Sequence, residues 1–591
     1  MNRIHLVKKI NMLKHEKRSI QAELDRLKRR VLDVIKTKGH VLSYSENEEL
    51  LQLVEQYTSD VLRSYPDETS TQRLFWDQQL KYAKLKNKSA MRWHPMMVKW
   101  CLYLRSKSQK AYNVARDSGF IALPSTRTLF DYSHVLPSTC GFHERFTEHL
   151  IEQAEKCGMY KEEWKSYVGI LQDEIKVSEG LVYDKKSGEL VGYVELDKTG
   201  NDISNMENLL IDSDPKLAKS ILVVMVRGIT TSLKYPFFCL ATDGITSATL
   251  YPPIWETVRI LTIECGLKPL FITCDGATPN RKFFKLHRDE NLQNTFWTLN
   301  PYSFPTRKLY FISDVPHLLK TTRNCFSNSG AHNLARNLWK SGKCISWTHI
   351  IRLYEDHVET PLFTLCPKLT RHHVHLSSFA KMKVNLAAQV LSKTVADALE
   401  ELYGDHVTET VKFIRHMNRF FDCLNTRHLE EAKRKRNPDL EPYRTQDDSR
   451  FHYLTDEFLQ YFNDWEVAVM NRAGQYTLRQ RTNMKLSQQT LNGLHISVNS
   501  IVECTKFLLH EGASFVLTHR FNQDPLEEHF AHYRHKGGSN DNPTVFDVRN
   551  TLSELRVIGS QALAPIRGNV SKKRQQGSLA VDNTPLAKRM R

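Results

Sequence analysis

No two cysteines in this chain are spaced to share a metal ion or form a ready disulfide. The 11 stand singly, at 101, 140, 157, 239, 265, 274, 325, 344, 366, 423 and 504. An odd count with no CxxC pair argues against a disulfide frame and against a structural zinc site, so reduced thiols of the cytosol or nucleus are expected. Long apolar runs are missing as well. None approaches the roughly 20 residues of a membrane-spanning helix, and the basic N-terminus has no apolar stretch of a secretory signal. Acidic residues are in deficit, 66 Asp+Glu against 83 Lys+Arg, for a net charge of +17. That surplus favours a polyanionic partner, and without a membrane segment the choice falls on nucleic acid. Neither a GxxxxGK[ST] loop nor an Asn-Lys-x-Asp sequence occurs, which removes the phosphate-cradling loop that a hydrolysing GTPase uses.

What is present divides 591 residues, too many for one core, into several units. Residues 4–36 carry a heptad, with Leu6, Leu13, Ile20, Leu27 and Val34 on d, Ile10, Leu24 and Val31 on a, and Lys17 the polar intruder. This predicts a dimerising coiled coil over 1–40; an amphipathic helix packed on its own domain would give the same pattern. Residues 89–136 read as three short helices. One starts at Pro95, one covers Lys107–Asp117 and stops at Ser118-Gly119, and one opens behind the N-cap Ser125. A helix, a Gly-containing turn and a helix headed by Ser, Thr and Arg predict a helix-turn-helix DNA-binding domain within 41–150. Its candidate contacts are Arg92, Lys99, Lys107, Lys110, Ser125, Thr126 and Arg127. A helical bundle with a solvated basic face is the plainer alternative.

From 160 to 326 the pattern becomes α/β. Strand 167–172 is followed by a hairpin of Gly180–Asp184 with Leu190–Leu196, an apolar run Ile221–Val226, and a helix over Trp255–Cys265. Strand 269–274, a helix from Pro279, strand Lys308–Ser313 and helix Val315–Phe326 complete it. A mixed sheet with an antiparallel edge fits this order. Residues 327–510 read as a mostly α-helical insertion, with helices Ser378–Leu402, Val407–Leu424 and Phe458–Arg472. The basic run Lys433–Arg436 and the stretch Gln475–Gln489 read there as polar loops. Strand or helix signals resume at Ser514–Thr518, in a second core segment over 511–555. The remainder, 556–591, is expected to be a basic disordered tail. Its Lys572-Lys573-Arg574 and Lys588-Arg589 clusters are spaced like a bipartite nuclear import signal.

Three carboxylates stand out. Asp173 closes the run 167–172, Asp275 closes 269–274, and Glu527 sits at the head of a later helix in Asn-Gln-Asp-Pro-Leu-Glu (522–527). Two acids at strand ends and one on a distant helix suit a pair of divalent cations, Mg²⁺ or Mn²⁺, in an RNase H-like nuclease. Glu174 and Glu528 adjoin two of the three. Asp314 closes another strand and is either a rival metal ligand or the cap of helix 315–326. Lys320, Arg323 and Arg534 are candidates to steer a nucleic-acid strand.

Asp275-Gly-Ala-Thr-Pro-Asn280, Ser313-Asp-Val-Pro-His-Leu-Leu-Lys320 and Arg520-Phe-Asn-Gln-Asp-Pro-Leu-Glu527 together resemble motifs of the P-element transposases and their THAP-protein relatives. The similarity runs from about residue 89 to 550 in the same order. It implies an RNase H-like catalytic core interrupted by a GTP-binding helical insertion, behind an all-α N-terminal coiled coil and helix-turn-helix. It places the catalytic, metal-holding triad on Asp173, Asp275 and Glu527, and nucleotide contacts on Lys383, Val384, Ser392, Asp422 and Asp524. The family usually opens with a THAP zinc finger, and with no paired cysteines here none is expected within this chain. The resemblance implies metal-dependent DNA cleavage and strand transfer in the nucleus. It further implies double-stranded DNA as partner, GTP as assembly cofactor, and a homodimer or higher synaptic oligomer. A catalytically idle, dimeric DNA-binding regulator is the alternative.

Overall fold

The computed structural model describes residues 70–558 apart from 186, 197–199, 203–205, 207–214, 288–294, 331–334, 360–364 and 536–541, together with scattered positions between 12 and 67. The heptad over 4–36, save a few single positions, and the chain beyond Ile558 lie outside the described residues. Two compact units are divided between Val135 and Leu136. No described helix is long and apolar enough to cross a membrane.

The first unit contains α1 (Thr71–Lys84), α2 (Pro95–Lys107), α3 (Gln109–Asp117) and α4 (Thr126–Ser133). Each start has a chemical cause. Pro95 takes the first position of α2, where a missing N–H costs nothing. Ser108 caps α3 through Ala111 N–H, and Ser125 caps α4 through Thr128 N–H. Ser108 thus splits two helices, and α3 begins at Gln109 while Lys107 ends α2. The turn that follows uses Gly119 at φ +72°. Gln79 on α1 brackets Ala122 by donating to its carbonyl (2.9 Å) and accepting its N–H (2.7 Å), and Met97, Val98, Cys101, Leu102, Tyr112 and Leu129 fill the interior.

The second unit opens earlier than the expected boundary at 150. That boundary falls inside α5 (Glu144–Lys156), whose Phe146, Leu150 and Ala154 pack with the second unit's sheet core. The strands are β1 (Tyr167–Lys176), β2 (Val182–Tyr183), β3 (Leu190–Val191), β4 (Ser220–Gly228) and β5 (Lys234–Thr242), then, beyond α6 (Ser247–Arg259), β6 (Lys268–Cys274). After α7 (Thr278–Leu286) come β7 (Trp297–Asn300), β8 (Arg307–Ser313) and α8 (Val315–Phe326). Six strands form one mixed sheet in the order β5-β4-β1-β6-β8-β7, with β1, β6 and β8 parallel and the outer pairings antiparallel. The expected hairpin shrinks to two residues per strand, β2 against β3, apart from this sheet. Neither β5 nor β7 was expected.

Alternation along the strands feeds two cores. Leu171, Ile175, Ile221, Val223 and Met225 face one, while Val168, Ile170, Leu222, Val224 and Val226 face the other. All nine residues of β4 are buried, so both faces of the sheet are covered. Gly169 lies where β1 meets Phe271 of β6, and a Cβ there would stand 2.0 Å from the ring.

Between α8 and the second core segment lie α9 (Thr348–Glu359), α10 (Arg371–Val374), α11 (Ser378–Met382), α12 (Val384–Val390), α13 (Lys393–Tyr403), α14 (Thr408–Leu424) and α15 (Glu431–Lys435). They continue as α16 (Ser449–His452), α17 (Leu459–Met470), α18 (Leu478–Asn483) and α19 (Gln488–His510), and a two-residue hairpin, β9 (Trp339–Lys340) with β10 (Lys343–Cys344), precedes α9. The long helix expected over 378–402 is three pieces, broken at Lys383 and at the cap Ser392. Lys433–Lys435 are helical rather than looped, and the turn ends at Arg436 in left-handed φ +51°. Gln475–Gln489 likewise holds α18 and the start of α19. That 23-residue helix lies along β8, where Ser497 and Ser500 hydroxyls donate to the carbonyls of Ser313 and Phe311, so the core resumes well before 511. Ser514–Thr518 forms no strand of the sheet; Val516 makes a lone bridge to Tyr443. α20 (Asp524–His535) and α21 (Val545–Ile558) finish the described chain, and α21 carries order past the expected limit at 555.

Candidate active site

Register brings the two aspartates together. Leu171 of β1 is opposite Thr273 of β6, and Cys274 of β6 is opposite Ser313 of β8. Two residues beyond the first pair stand Asp173 and Asp275; one beyond the second stand Asp275 and Asp314. Three acids therefore lie abreast at the carboxyl ends of parallel pairings, the edge where open α/β sheets bind ligands. Asp173 does not end its strand, as the sequence suggested. β1 continues to Lys176 against β4, with Asp173 opposite Val223, and only the parallel partner stops.

Glu527 is returned to this edge by a short, heavily bonded segment. Arg227, buried on β4, donates to the carbonyls of His519 (3.1 Å) and Asn522 (2.9 Å). Burial lowers its pKa to about 9. Thr273 donates to Phe521 O (2.8 Å), and the Gln523 side chain donates to Gln172 O. Asp314 closes the clasp. Its Oδ1 accepts Gln523 N–H and its Oδ2 accepts His317 N–H, both at 2.9 Å, so the cap role is filled at the head of α8. Glu528 is committed to Lys234 on β5 at 3.4 Å, which leaves Glu527 as the acid of this pair nearest the aspartates.

Electrostatics show one neighbourhood. Shielding of the Asp173 carboxyl, then the charges of Asp275, Glu527 and Asp314, hold its pKa well above the carboxylate range, although the residue keeps some solvent exposure. Burial, then Glu527, pushes Asp314 to about 7. Glu527 is exposed as a residue, yet its crowded carboxyl is raised by desolvation and by Asp524, against the opposing charges of Lys320 and Arg534. Burial, then Lys320, lowers His317 to about 4, with Asp275 pulling the other way. Asp275 Oδ1 accepts from Ala277 N–H (2.9 Å) and Asn280 Nδ2 (2.7 Å), and Gln172 in turn donates to Asn280 (3.1 Å).

These groups are hard oxygen donors with uncompensated charge, the chemistry that suits a divalent cation. Among the described residues, however, no three His, Cys, Asp or Glu side chains are gathered closely enough to hold one. Lys320 and Arg534 lie near enough to Glu527 for their charges to oppose its raised pKa. Arg323 is not placed to steer a strand: it is fully buried and donates to Ala380 O and Lys381 O, tying α8 to the insertion. Gln172 and Arg227 were not singled out from the sequence, because their partners Gln523 and Asn522 lie 351 and 295 positions away; Asn280, His317 and Gln523 entered only as members of motifs, with no role of their own.

In the insertion, the Ser392 hydroxyl caps α13. The next N–H, of Lys393, donates to Asn418 (3.0 Å), and Asn418 and Asn437 both donate to Asp422 Oδ2 (2.8 and 2.9 Å). Ser392 and Asp422 thus share one hydrogen-bonded group, and burial lifts Asp422 to about 6. Lys383 forms the break between α11 and α12 and Val384 opens α12, both outside that group, with Lys383 Nζ 4.2 Å from the Phe379 ring. Asp524 pairs with Arg427 at 3.2 Å, where α20 meets the insertion. In the first unit, Arg92, Lys110, Ser125 and Arg127 are exposed while Lys99, Lys107 and Thr126 are half-buried.

Three family models match the second unit. They are the TNP-like RNase H N-terminal domain over 138–288, the TNP-like GTP-binding insertion domain over 316–437, and the TNP-like RNase H C-terminal domain over 519–547. The chain is 25% identical over 509 residues to the Transposable element P transposase of Drosophila melanogaster, which covers 83% of this chain and 57% of that protein. It is 24% identical over 336 residues to the human (Homo sapiens) DNA transposase THAP9, covering 54% of this chain and 34% of that one. It therefore spans little more than half the length of one relative and a third of the other. The solved Drosophila P element transposase strand transfer complex shares the fold, with a TM-score of 0.62 at 22% identity over 85% of this chain and 98% of that chain. The sheet and its flanking helices are RNase H-like, the insertion is of the GTP-binding kind, and the chain belongs to the P-element transposase family.

Proposed function

We propose that this chain is a DNA transposase that cleaves DNA and joins the freed 3′-hydroxyl to a target, using Asp173, Asp275 and Glu527. The observation that carries this reading is the row of acids at the parallel strand ends with a distant glutamate clasped beside it. These three residues would hold divalent cations, Mg²⁺ or Mn²⁺, which when bound neutralise the entering and leaving oxygens of a phosphodiester. The protein's own part is orientation. Ala277 and Asn280 fix one Asp275 oxygen, and Lys320 and Arg534 offer positive charge beside Glu527 for the DNA backbone. GTP, bound around Ser392 and Asp422 with Lys383, Val384 and Asp524, would order the assembly rather than drive the chemistry. α3 and α4 act as a helix-turn-helix that meets duplex DNA through Lys110, Ser125, Thr126 and Arg127, joined by Lys99 and Lys107 of α2 and by Arg92 before it. A nuclear dimer joined through the heptad segment completes the reading.

The test is cleavage and strand transfer on terminal-repeat DNA of the family's kind with Mg²⁺, comparing the chain with Asp275→Ala. The variant should lose product formation by at least about 10³-fold while duplex binding persists. Equal product from both would remove the catalytic assignment and leave the idle DNA-binding regulator.

A further inference from the structure

α7 leads away from Asp275, and one of its faces is solvent-exposed throughout: Thr278, Lys282, Lys285 and Leu286 are all exposed. Their spacing of four, then three and four, puts them on a single ridge. At about 1.5 Å per residue the ridge runs roughly 12 Å from the acids. It ends among aromatic rings. His287 stacks on Tyr251 (5.4 Å between centroids, 12° between planes) and accepts the Trp255 indole N–H at 3.0 Å. Tyr302 stands against Trp255 at 6.4 Å, and two residues on, Phe304 is 98% exposed. Tyr251 and Tyr302 are exposed as well, and on the neighbouring hairpin Lys308 lies 4.7 Å over Trp297. The nearby acids Glu256 and Glu264 are both engaged by Arg259, so they do little to offset the lysines.

Exposed rings beside lysines are of little use to an intact duplex, whose base faces are hidden in the stack. An unpaired strand offers those faces, and its phosphates answer the lysines. We propose that the α7 ridge and the platform of Tyr251, Tyr302 and Phe304 form a track for single-stranded nucleic acid leading from the acids. The track's position relative to a reacting phosphate rests on the function proposed above; its affinity for unpaired bases does not.

The test uses the full chain in EDTA, so that no chemistry intervenes, and fluorescence anisotropy with a labelled mixed-sequence single strand and its duplex. Tyr302→Ala and Phe304→Ala should each weaken single-strand binding by roughly ten-fold, within the range for one base–aromatic stack, with the duplex unchanged. Lys282→Ala with Lys285→Ala should flatten the single-strand salt dependence by about 1.4 in log–log slope. Asp275→Ala should leave the single-strand affinity in place, which separates this inference from the catalytic reading. Unchanged single-strand binding in the aromatic variants, or equal losses on single strand and duplex, would overturn it.

Discussion

Asp314 sits where two explanations part, as clasp or as metal ligand, and Asp314→Ala separates them. The carboxyl is 3% exposed and its pKa stands at about 7 against 3.8 unfolded. At about 1.4 kcal/mol per unit, keeping it ionised at pH 8 costs the fold about 4 kcal/mol. The sign follows from the raised value: the group favours folding fully only below about 3.8, and that contribution is gone once pH passes about 7. Alanine removes the cost. It also leaves the buried Gln523 N–H without an acceptor, about 1–3 kcal/mol, and uncaps α8, about 1 kcal/mol. The two sides nearly cancel at pH 8, so global stability there should move by no more than about 2 kcal/mol. At pH 5 the removed cost is smaller and the variant should be the more destabilised. Locally nothing cancels. Hydrogen exchange over 517–530 should quicken by ten-fold or more, since the segment that carries Glu527 has lost its anchor. Chemical denaturation at both pH values together with exchange mass spectrometry reads all of this. Unchanged exchange across 517–530, or a larger stability loss at pH 8 than at pH 5, would refute the clasp.

Arg227→Met, which deprives His519 and Asn522 carbonyls of their donor, should cost about 2–4 kcal/mol and quicken exchange in the same peptides; combined with Asp314→Ala the effects should fall short of additive. Gly169→Ala drives a Cβ into Phe271 and should lower unit stability by about 1–3 kcal/mol in thermal unfolding, with Phe271→Leu in the same chain recovering part of the loss. Guanine-nucleotide affinity, if it uses ionised Asp422, should be full above pH 7 and fall as pH drops through about 6, a dependence that Asp422→Asn should abolish in a fluorescent-nucleotide titration.

Elements with local signals were legible in the sequence. α8 runs over Val315–Phe326 as expected, because Asp314 caps it and Pro316 sits in its first turn. β6 and the position of Asp275 just past it follow from an apolar run ended by Gly276. What escaped notice had its signal masked. β5 contains Pro236, which demotes a strand; the structure accommodates it at the sheet's edge beside a register shift between Val224 and Met225. α6 begins at Ser247, before Pro252 and Pro253 and behind a Thr246–Thr249 capping box, whereas the sequence reading opened this helix at Trp255. α19 buries Gly493, Ser497, Ser500 and Thr505 among Leu491, Leu494, Val498, Ile501 and Leu508, so small and polar positions interrupt the apolar ones and blur its period. Gly493 is needed there, because a Cβ would stand 2.6 Å from Leu318. Arg323 looked like a surface charge, and only packing reveals it as an internal brace. Within the site, the acids were readable one by one, while the row they form is a property of register, which no single segment records.

The clasp has a wider consequence. One side chain, Asp314, holds both the outgoing helix and the returning segment, although His317 and Gln523 stand on opposite sides of the whole helical excursion. The excursion therefore departs and returns through one carboxylate, with further seams where Arg323 meets Ala380 and Lys381 and where Arg427 meets Asp524. A shift of the returning segment reaches the aspartates as well as Glu527, because the Gln523 side chain donates to Gln172 O next to Asp173, and Gln172 donates to the Asn280 that holds Asp275.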